Sequence, residues 1–302
     1  MEPLITALGA VVLLIGLGAL LRVTGVFPDA AWVPMDRLSY FVLFPALLFN
    51  EIARADLLSG AALGLGSSLV LAQLAMFALA HLLRRPLRLN GPAFTSLVQG
   101  VVRWNSYVAL ALVPLLFGQA AMPLAAIGVG AMTPVANLLS VLVLTRHGGG
   151  GGSAALLPAL LRNPLILACL GGIAWNLVDL PQPRLLFEPL AILGRAGLAL
   201  GLLTVGAGLR PVPFGPSLGP LATASLCKLV LMPLLSLGLA FGMGLDGPAL
   251  GIVALFAAVP TSSSAYILAR LMGGDALLMA AIVTVTTVLA LVTMPLFLAL
   301  VG

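Results

Sequence analysis

Ten apolar runs, each about long enough to cross a bilayer, follow one another along this 302-residue chain. They cover roughly residues 4–21, 38–53, 57–80, 94–117, 121–144, 164–180, 186–209, 217–241, 249–271 and 276–300. A spanning helix needs about 17–25 apolar residues, and in lipid only a helix or a closed barrel satisfies its own backbone. The sequence therefore predicts an all-α integral membrane protein with ten transmembrane helices. The run over 38–53 is the shortest and carries Pro45 and Asn50. Hydrophobic residues make up 61% of the chain and charged residues 8%, where soluble domains carry about 25% charged. The first run is flanked by acidic Glu2, and no small-residue cleavage site follows, so it reads as a retained helix, not a signal peptide.

The net charge of +5 does not point to nucleic acid, because the basic residues sort by loop. With alternating helices, one side collects Arg22, Arg37, Arg84, Arg85, Arg88, Arg146, Arg162, Arg210 and Arg270. The other side collects Arg54 and Arg184, while Arg103, Arg195 and Lys228 fall inside the runs. Positively charged loops stay cytoplasmic, which places both termini outside an inner (plasma) membrane crossed many times. Cys169 and Cys227 sit in apolar runs and read as small buried hydrophobes.

Gly148 to Gly152 and Ser153 form a flexible linker on the basic, cytoplasmic side. Residues 1–147 and 154–302 are nearly equal in length, five runs each, as a duplication would leave them. Five helices per half turn the second half upside down, giving two inverted repeats. Sliding residues 91–146 onto 247–302 matches Gly91-Pro92-Ala93, Ser106, Ala109, Leu112, Leu115 and Gly118 with their counterparts. Spacings such as Gly60-xxx-Gly64, Gly197-xxx-Gly201 and Gly238-xxx-Gly242 read as helix packing faces.

In the same register, each repeat has an apolar run broken by polar residues. The first break is Arg103-Trp104-Asn105-Ser106-Tyr107 and the second is Pro260-Thr261-Ser262-Ser263-Ser264. Backbone left unpaired at mid-bilayer depth is costly and is tolerated where it lines a cavity. A matched pair of breaks in two halves points to the binding site of a secondary transporter. Half-helices starting near Ser106 and after Pro260 would turn their positive ends toward the breaks, with Thr261, Ser262 and Ser263 as natural caps. Arg103 and Asn105 add donors, so the site suits a carboxylate. The bland reading is a kinked helix whose hydroxyls satisfy its own carbonyls.

Lys228 lies near the centre of its run, followed by Pro233. It is a candidate anion partner or a charge in place of a coupling cation; snorkelling to the surface is the competing reading, and the one favoured for Arg195. Asn50 and Asn137 are further polar candidates, Asn137 equally explained by a helix–helix hydrogen bond. Glu51 offers a proton or cation site, with a solvated ion pair to Arg54 the favoured reading. His81 and His147 fall at helix ends, so no intramembrane metal protease or Ser–His hydrolase can be assembled. No Walker-type glycine loop offers ATP coupling. The chain reads as no enzyme, with no cofactor.

Several stretches resemble the auxin efflux carrier family, whose bacterial members include malate and malonate permeases. They are Leu38-Ser-Tyr-Phe-Val-Leu-Phe-Pro-Ala-Leu-Leu-Phe-Asn50, Asn105-Ser106, Lys228-Leu-Val-Leu-Met-Pro233, Ala269-Arg-Leu-Met-Gly-Gly-Asp275 and Thr284 to Pro295. The resemblance implies a scaffold domain and a transport domain, each drawing on both repeats, the latter built around crossing broken helices four and nine. It matches Asn105 to the family's substrate-contacting asparagine. Plant members carry proline at both crossovers; here Trp104 stands opposite Pro260, which implies a fourth helix bent instead of fully unwound.

The expected function is a secondary carrier of a small organic anion, a mono- or dicarboxylate or an auxin-like acid, moved by alternating access. Its partners are that anion and the lipid bilayer, and a homodimer is compatible with the sequence. The substrate-binding candidates are Asn105, Ser106, Arg103, Tyr107, Pro260, Thr261, Ser262, Ser263, Asn50, Lys228 and Asn137. The alternatives are a sodium-coupled symporter resembling the bile-acid carriers and a non-transporting receptor on the same fold. Sodium needs several oxygen ligands, and few polar residues here supply them, which favours uncoupled or proton-linked transport.

Overall fold

The computed structural model describes residues 2–57, 59–148, 163–210 and 218–301. Residues 149–153 of the glycine linker, together with Arg162 and Gly302, lie outside the described residues. The described elements are helical. In chain order, α1 spans Glu2–Val23, α2 Asp29–Leu38 and α3 Phe44–Ile52, the last two joined by a π-helical turn at Ser39–Leu43. Then come α4 (Gly60–Leu83), α5 (Gly91–Val102), α6 (Ser106–Phe117) and α7 (Met122–His147). After the linker stand α8 (Pro164–Leu177), α9 (Arg184–Gly208) and α10 (Leu218–Leu226). A second π turn, Cys227–Leu231, leads into α11 (Met232–Gly242), followed by α12 (Gly247–Ala258), α13 (Ser264–Leu271) and α14 (Ala276–Ala299).

Seven stretches among the described residues are long and apolar enough to cross a membrane, against the ten runs expected. The other three fall short for visible reasons. Helix α8 has 14 residues, and α12 with 12 residues stops at the second break. The run expected at 38–53 is divided by the π turn into α2 of 10 residues and α3 of 9, and the helical stretch starts earlier, at Asp29. Pro28, extended at φ −61° and ψ 148°, ends the preceding loop, and acidic Asp29 suits the positive helix end.

Both π turns precede a proline, Pro45 and Pro233. A proline inside a helix lacks its N–H and collides with the carbonyl four residues back. The wider turn absorbs this: Phe44 N–H reaches Ser39 O and Met232 N–H reaches Cys227 O, five residues back.

The chain divides into two compact units. The first comprises Met1–Leu63, Tyr107–Thr133 and Leu161–Gly208. Within it α1 lies against α9 along glycines, Gly18 on the backbone of Leu203 and Gly206 on that of Ile15, where no side chain fits. Gly197 and Gly201 of α9 receive Leu43 and Tyr107. Asn176 of α8 donates to Ala55 O at 2.8 Å and Ala53 O at 3.2 Å, closing the end of α3. The second unit comprises Gly64–Ser106, Pro134–Leu160 and Leu209–Gly302. Its core gathers Phe94, Leu97 and Val98 of α5, Leu139 and Val143 of α7, Leu221 and Ala224 of α10, Ala265 of α13, and Leu278, Met279 and Ile282 of α14. Gly64 packs on Leu245 as a packing glycine should, whereas Gly60, Gly238 and Gly242 face open space.

Candidate functional site

The two breaks meet inside the second unit, which holds α5, residues 103–106, α12 and α13. Helices α5 and α12 are each 12 residues long, each open with Gly-Pro, and end on extended backbone in the same register. Arg103 stands at φ −85°, ψ 145°, and Val259 at φ −62°, ψ 151°. Val259 precedes Pro260, which disfavours the helical region. Arg103 has no proline after it, yet residues 103–105 are non-helical. The bend implied by Trp104 is thus a full break, because the surroundings satisfy the opened backbone. Gln73 Nε2 donates to Val102 O at 2.8 Å, and Thr261 Oγ1 donates to Gly100 O at 2.6 Å. Asn105 N–H donates to Pro260 O at 2.9 Å, tying one extended segment to the other. Trp104 lies over Phe256 with ring centroids 4.9 Å apart. The merely kinked helix is excluded at both places.

Around this crossing the polar side chains form a chain of contacts. Arg103 Nη1 donates to Asn137 Oδ1 at 3.0 Å and Nη2 to Ser264 Oγ at 2.9 Å, and the hydroxyls of Ser264 and Ser262 lie 2.9 Å apart. The guanidinium is therefore held at the start of α13, where the helix dipole is also positive. Arg103, Ser106, Asn137, Ser262, Ser263 and Ser264 are half-buried, and Asn105 and Thr261 are buried. The arrangement gives fixed positive charge and hydroxyl donors, suited to an anion with several acceptor oxygens.

The second break is longer than the first: α6 begins at Ser106 as expected, while α13 begins at Ser264, not directly after Pro260. Thr261 is no free cap either, since its N–H donates to Thr286 Oγ1 at 3.2 Å and its hydroxyl is committed to Gly100. It holds α14 and α5 to the crossing. Ser263 takes the cap position in helical conformation without a side-chain cap bond.

Arg103, Asn105, Ser106, Asn137, Pro260, Thr261, Ser262, Ser263 and Lys228 all belong to the second unit, whereas Asn50 and Tyr107 belong to the first. There Asn50 Nδ2 donates to Glu51 Oε1 at 3.0 Å, and Tyr107 lies against Phe44 at 4.3 Å between ring centroids. Glu51 is buried beside Asn50 and Arg54 lies 4.9 Å over the Phe187 ring, so Arg54 acts on Glu51 through space and not as a solvated contact pair. Arg195 is exposed, as snorkelling requires. Lys228 does not snorkel: it is 0% exposed, in the second π turn, with no protein hydrogen-bond partner for Nζ. Both cysteines are buried and free.

Sequence reasoning missed Gln73 and Thr286, and it named Ser264 as the end of the second break without foreseeing its bond to Arg103. Gln73 is the lone amide in its run and was detectable as a polar residue at spanning depth. Thr286 carried no such signal, since an intrahelical hydroxyl can bond its own turn, as it does to Ile282 O.

Comparison with protein families finds a match between residues 154–298 and the membrane transport protein family. Comparison with the curated proteins found no match. The resemblance carried by Lys228 to Pro233, Ala269 to Asp275 and Thr284 to Pro295 falls within the matched residues and is borne out.

Proposed function

Residues 154–298 of this chain belong to the membrane transport protein family, that of the auxin efflux carriers, and on that premise we propose that the protein is a secondary carrier of a small organic anion. A family of transporters, not of enzymes, and several long apolar helices support a multi-pass membrane protein. The proposal adds the substrate class, a mono- or dicarboxylate, and movement by alternating access. It also adds ten spans in two inverted repeats in the inner membrane, with both termini outside.

One observation carries the substrate class: Arg103 is clamped between Asn137 and Ser264 beside two extended segments joined by the Asn105–Pro260 bond. Irregular backbone at spanning depth is retained where it serves a site. A fixed guanidinium beside a helix start attracts a carboxylate. The anion's oxygens would meet Arg103, Asn105, Ser262 and Ser263.

Labelled malate and malonate uptake by proteoliposomes holding the purified full chain tests this. Counterflow of either acid, competed by excess unlabelled acid and independent of a sodium gradient, is the expected result. Flux only with a sodium gradient would establish the symporter alternative. Saturable binding without flux would favour the receptor alternative, and neither binding nor flux of any carboxylate would overturn the anion site.

A further inference from the structure

We propose that Lys228 carries a proton together with the transported anion, taking it up at Nζ when the anion binds and releasing it when the anion leaves. The inference rests on the carrier reading and adds its coupling ion.

The geometry is that of a lysine with no counter-charge. Its π turn packs against α5, α12 and α14 as well as its own flanks, α10 and α11. None of these helices contains an aspartate, glutamate, histidine, arginine, lysine or tyrosine. Cys227, in the turn itself, is the one other titratable group there. At the helix ends, Arg103 is engaged by Asn137 and Ser264, and Asp275 accepts from Leu278 N–H at 2.9 Å. Asp246 precedes α12 at its far, exposed end. A static ion pair is thus closed to Lys228 among the described residues.

The helices packed around the turn nonetheless carry polar groups. Gln99 Oε1 and Nε2, Ser225 Oγ and Ser236 Oγ are buried without a protein hydrogen-bond partner, as Lys228 Nζ is. They can accept from or donate to an amine, but none balances a full charge. An ammonium kept from water without an anion costs several kcal/mol, so charge on Lys228 and an anion in the same unit stabilise one another. Binding that is linked in one direction is linked in the other.

The turn is also positioned to sense the site. Gly100 of α5 lies directly beside Ala224 of α10 and Ile282 of α14, and its carbonyl takes the Thr261 hydroxyl from the second break. Lys228 follows Ala224 by about one turn, and its π turn packs against α5 and α12, the two helices that end at the breaks. A π turn is a local irregularity that often marks function. The balance is simple: Nζ as amine plus one proton becomes ammonium on loading, and the same proton leaves on the side where the anion is discharged.

The experiment combines proton counting with flux, using malate and malonate as probes. In weakly buffered detergent solution with a pH dye, wild type should take up about one proton per malate bound. In proteoliposomes, a gradient of one pH unit, acidic outside, should then drive up to about tenfold accumulation. Lys228→Met and Lys228→Gln, checked for folding by size exclusion and melting, should take up no proton on binding. Their accumulation ratio with and without the gradient should fall to one, whatever their absolute rate, while Cys227→Ser should keep the wild-type proton count. Wild type that binds malate without proton uptake overturns the proposal, as does either Lys228 variant that keeps the wild-type count. Loss of malate affinity with an unchanged count per molecule bound would make Lys228 a direct ligand and also overturn it. A wild type that neither binds nor moves malate or malonate fails at the carrier reading, a result distinct from flux without protons.

Discussion

Asn105 is the residue on which the site reading turns. Its N–H is fixed on Pro260 O at 2.9 Å and its side chain is buried at the crossing. The backbone bond survives truncation of the side chain, so Asn105→Ala tests what the amide does for a ligand. A hydrogen bond to a charged group is worth about 1.5–3 kcal/mol, or roughly 10- to 150-fold in affinity. Malate affinity should fall by that factor with the melting temperature nearly unchanged; wild-type affinity in the variant would remove Asn105 from the site. Gln73 gives the complementary case, a residue that serves the fold. Gln73→Leu leaves Val102 O without its donor, at a cost of about 1–3 kcal/mol, so the purified variant should melt measurably lower. Arg103, Asn105 and Asn137 were legible in the sequence because a polar residue inside an apolar run is conspicuous. The pairings were not, because Ser264 meets Arg103 and Thr286 meets Thr261 across helix boundaries that only packing decides.

At the scale of elements, the two breaks were legible from matched Gly-Pro starts and polar runs, but their depth was not. Proline explains the second break locally, and its absence at Trp104 suggested a softer first one. Helix α5 stops at Val102 because Gln73, Thr261 and Pro260 together satisfy what the break exposes. Tertiary hydrogen bonds override a helix-permitting sequence there. Pro260→Ala reverses the logic at the other crossover. Alanine restores an N–H and frees Val259 from its extended bias, so α12 can lengthen and withdraw Pro260 O from Asn105. Transport of labelled malate should fall while the melting temperature holds or rises. Full transport with a wild-type melting profile would show that the second break does not depend on its proline. Charge patterning told least at this scale: Asp29–Ile52 forms a longer helical rod than its apolar run suggested, since a charged first turn is invisible to hydropathy.

At the scale of the molecule, the apolar runs foretold an all-helical membrane protein, and the described residues are helical throughout their regular elements. Orientation rests on arginine alone, nine on one side against two on the other. Loop arginines resist translocation, so the proposed orientation sets the linker side in the cytoplasm and both ends of the chain outside. Gly150, in the linker, and Gly302, at the end, report the two sides, with five runs lying between them. An odd number of crossings sets them on opposite faces, whereas an even number sets them on the same one. Cys169 and Cys227 are buried and can be replaced by alanine to give a background without thiols. In right-side-out vesicles, a membrane-impermeant maleimide should then label Gly302→Cys directly and Gly150→Cys only after permeabilisation. Equal labelling of both before permeabilisation would require an even number of crossings between them, and the inverted repeat would fall with the ten-helix count.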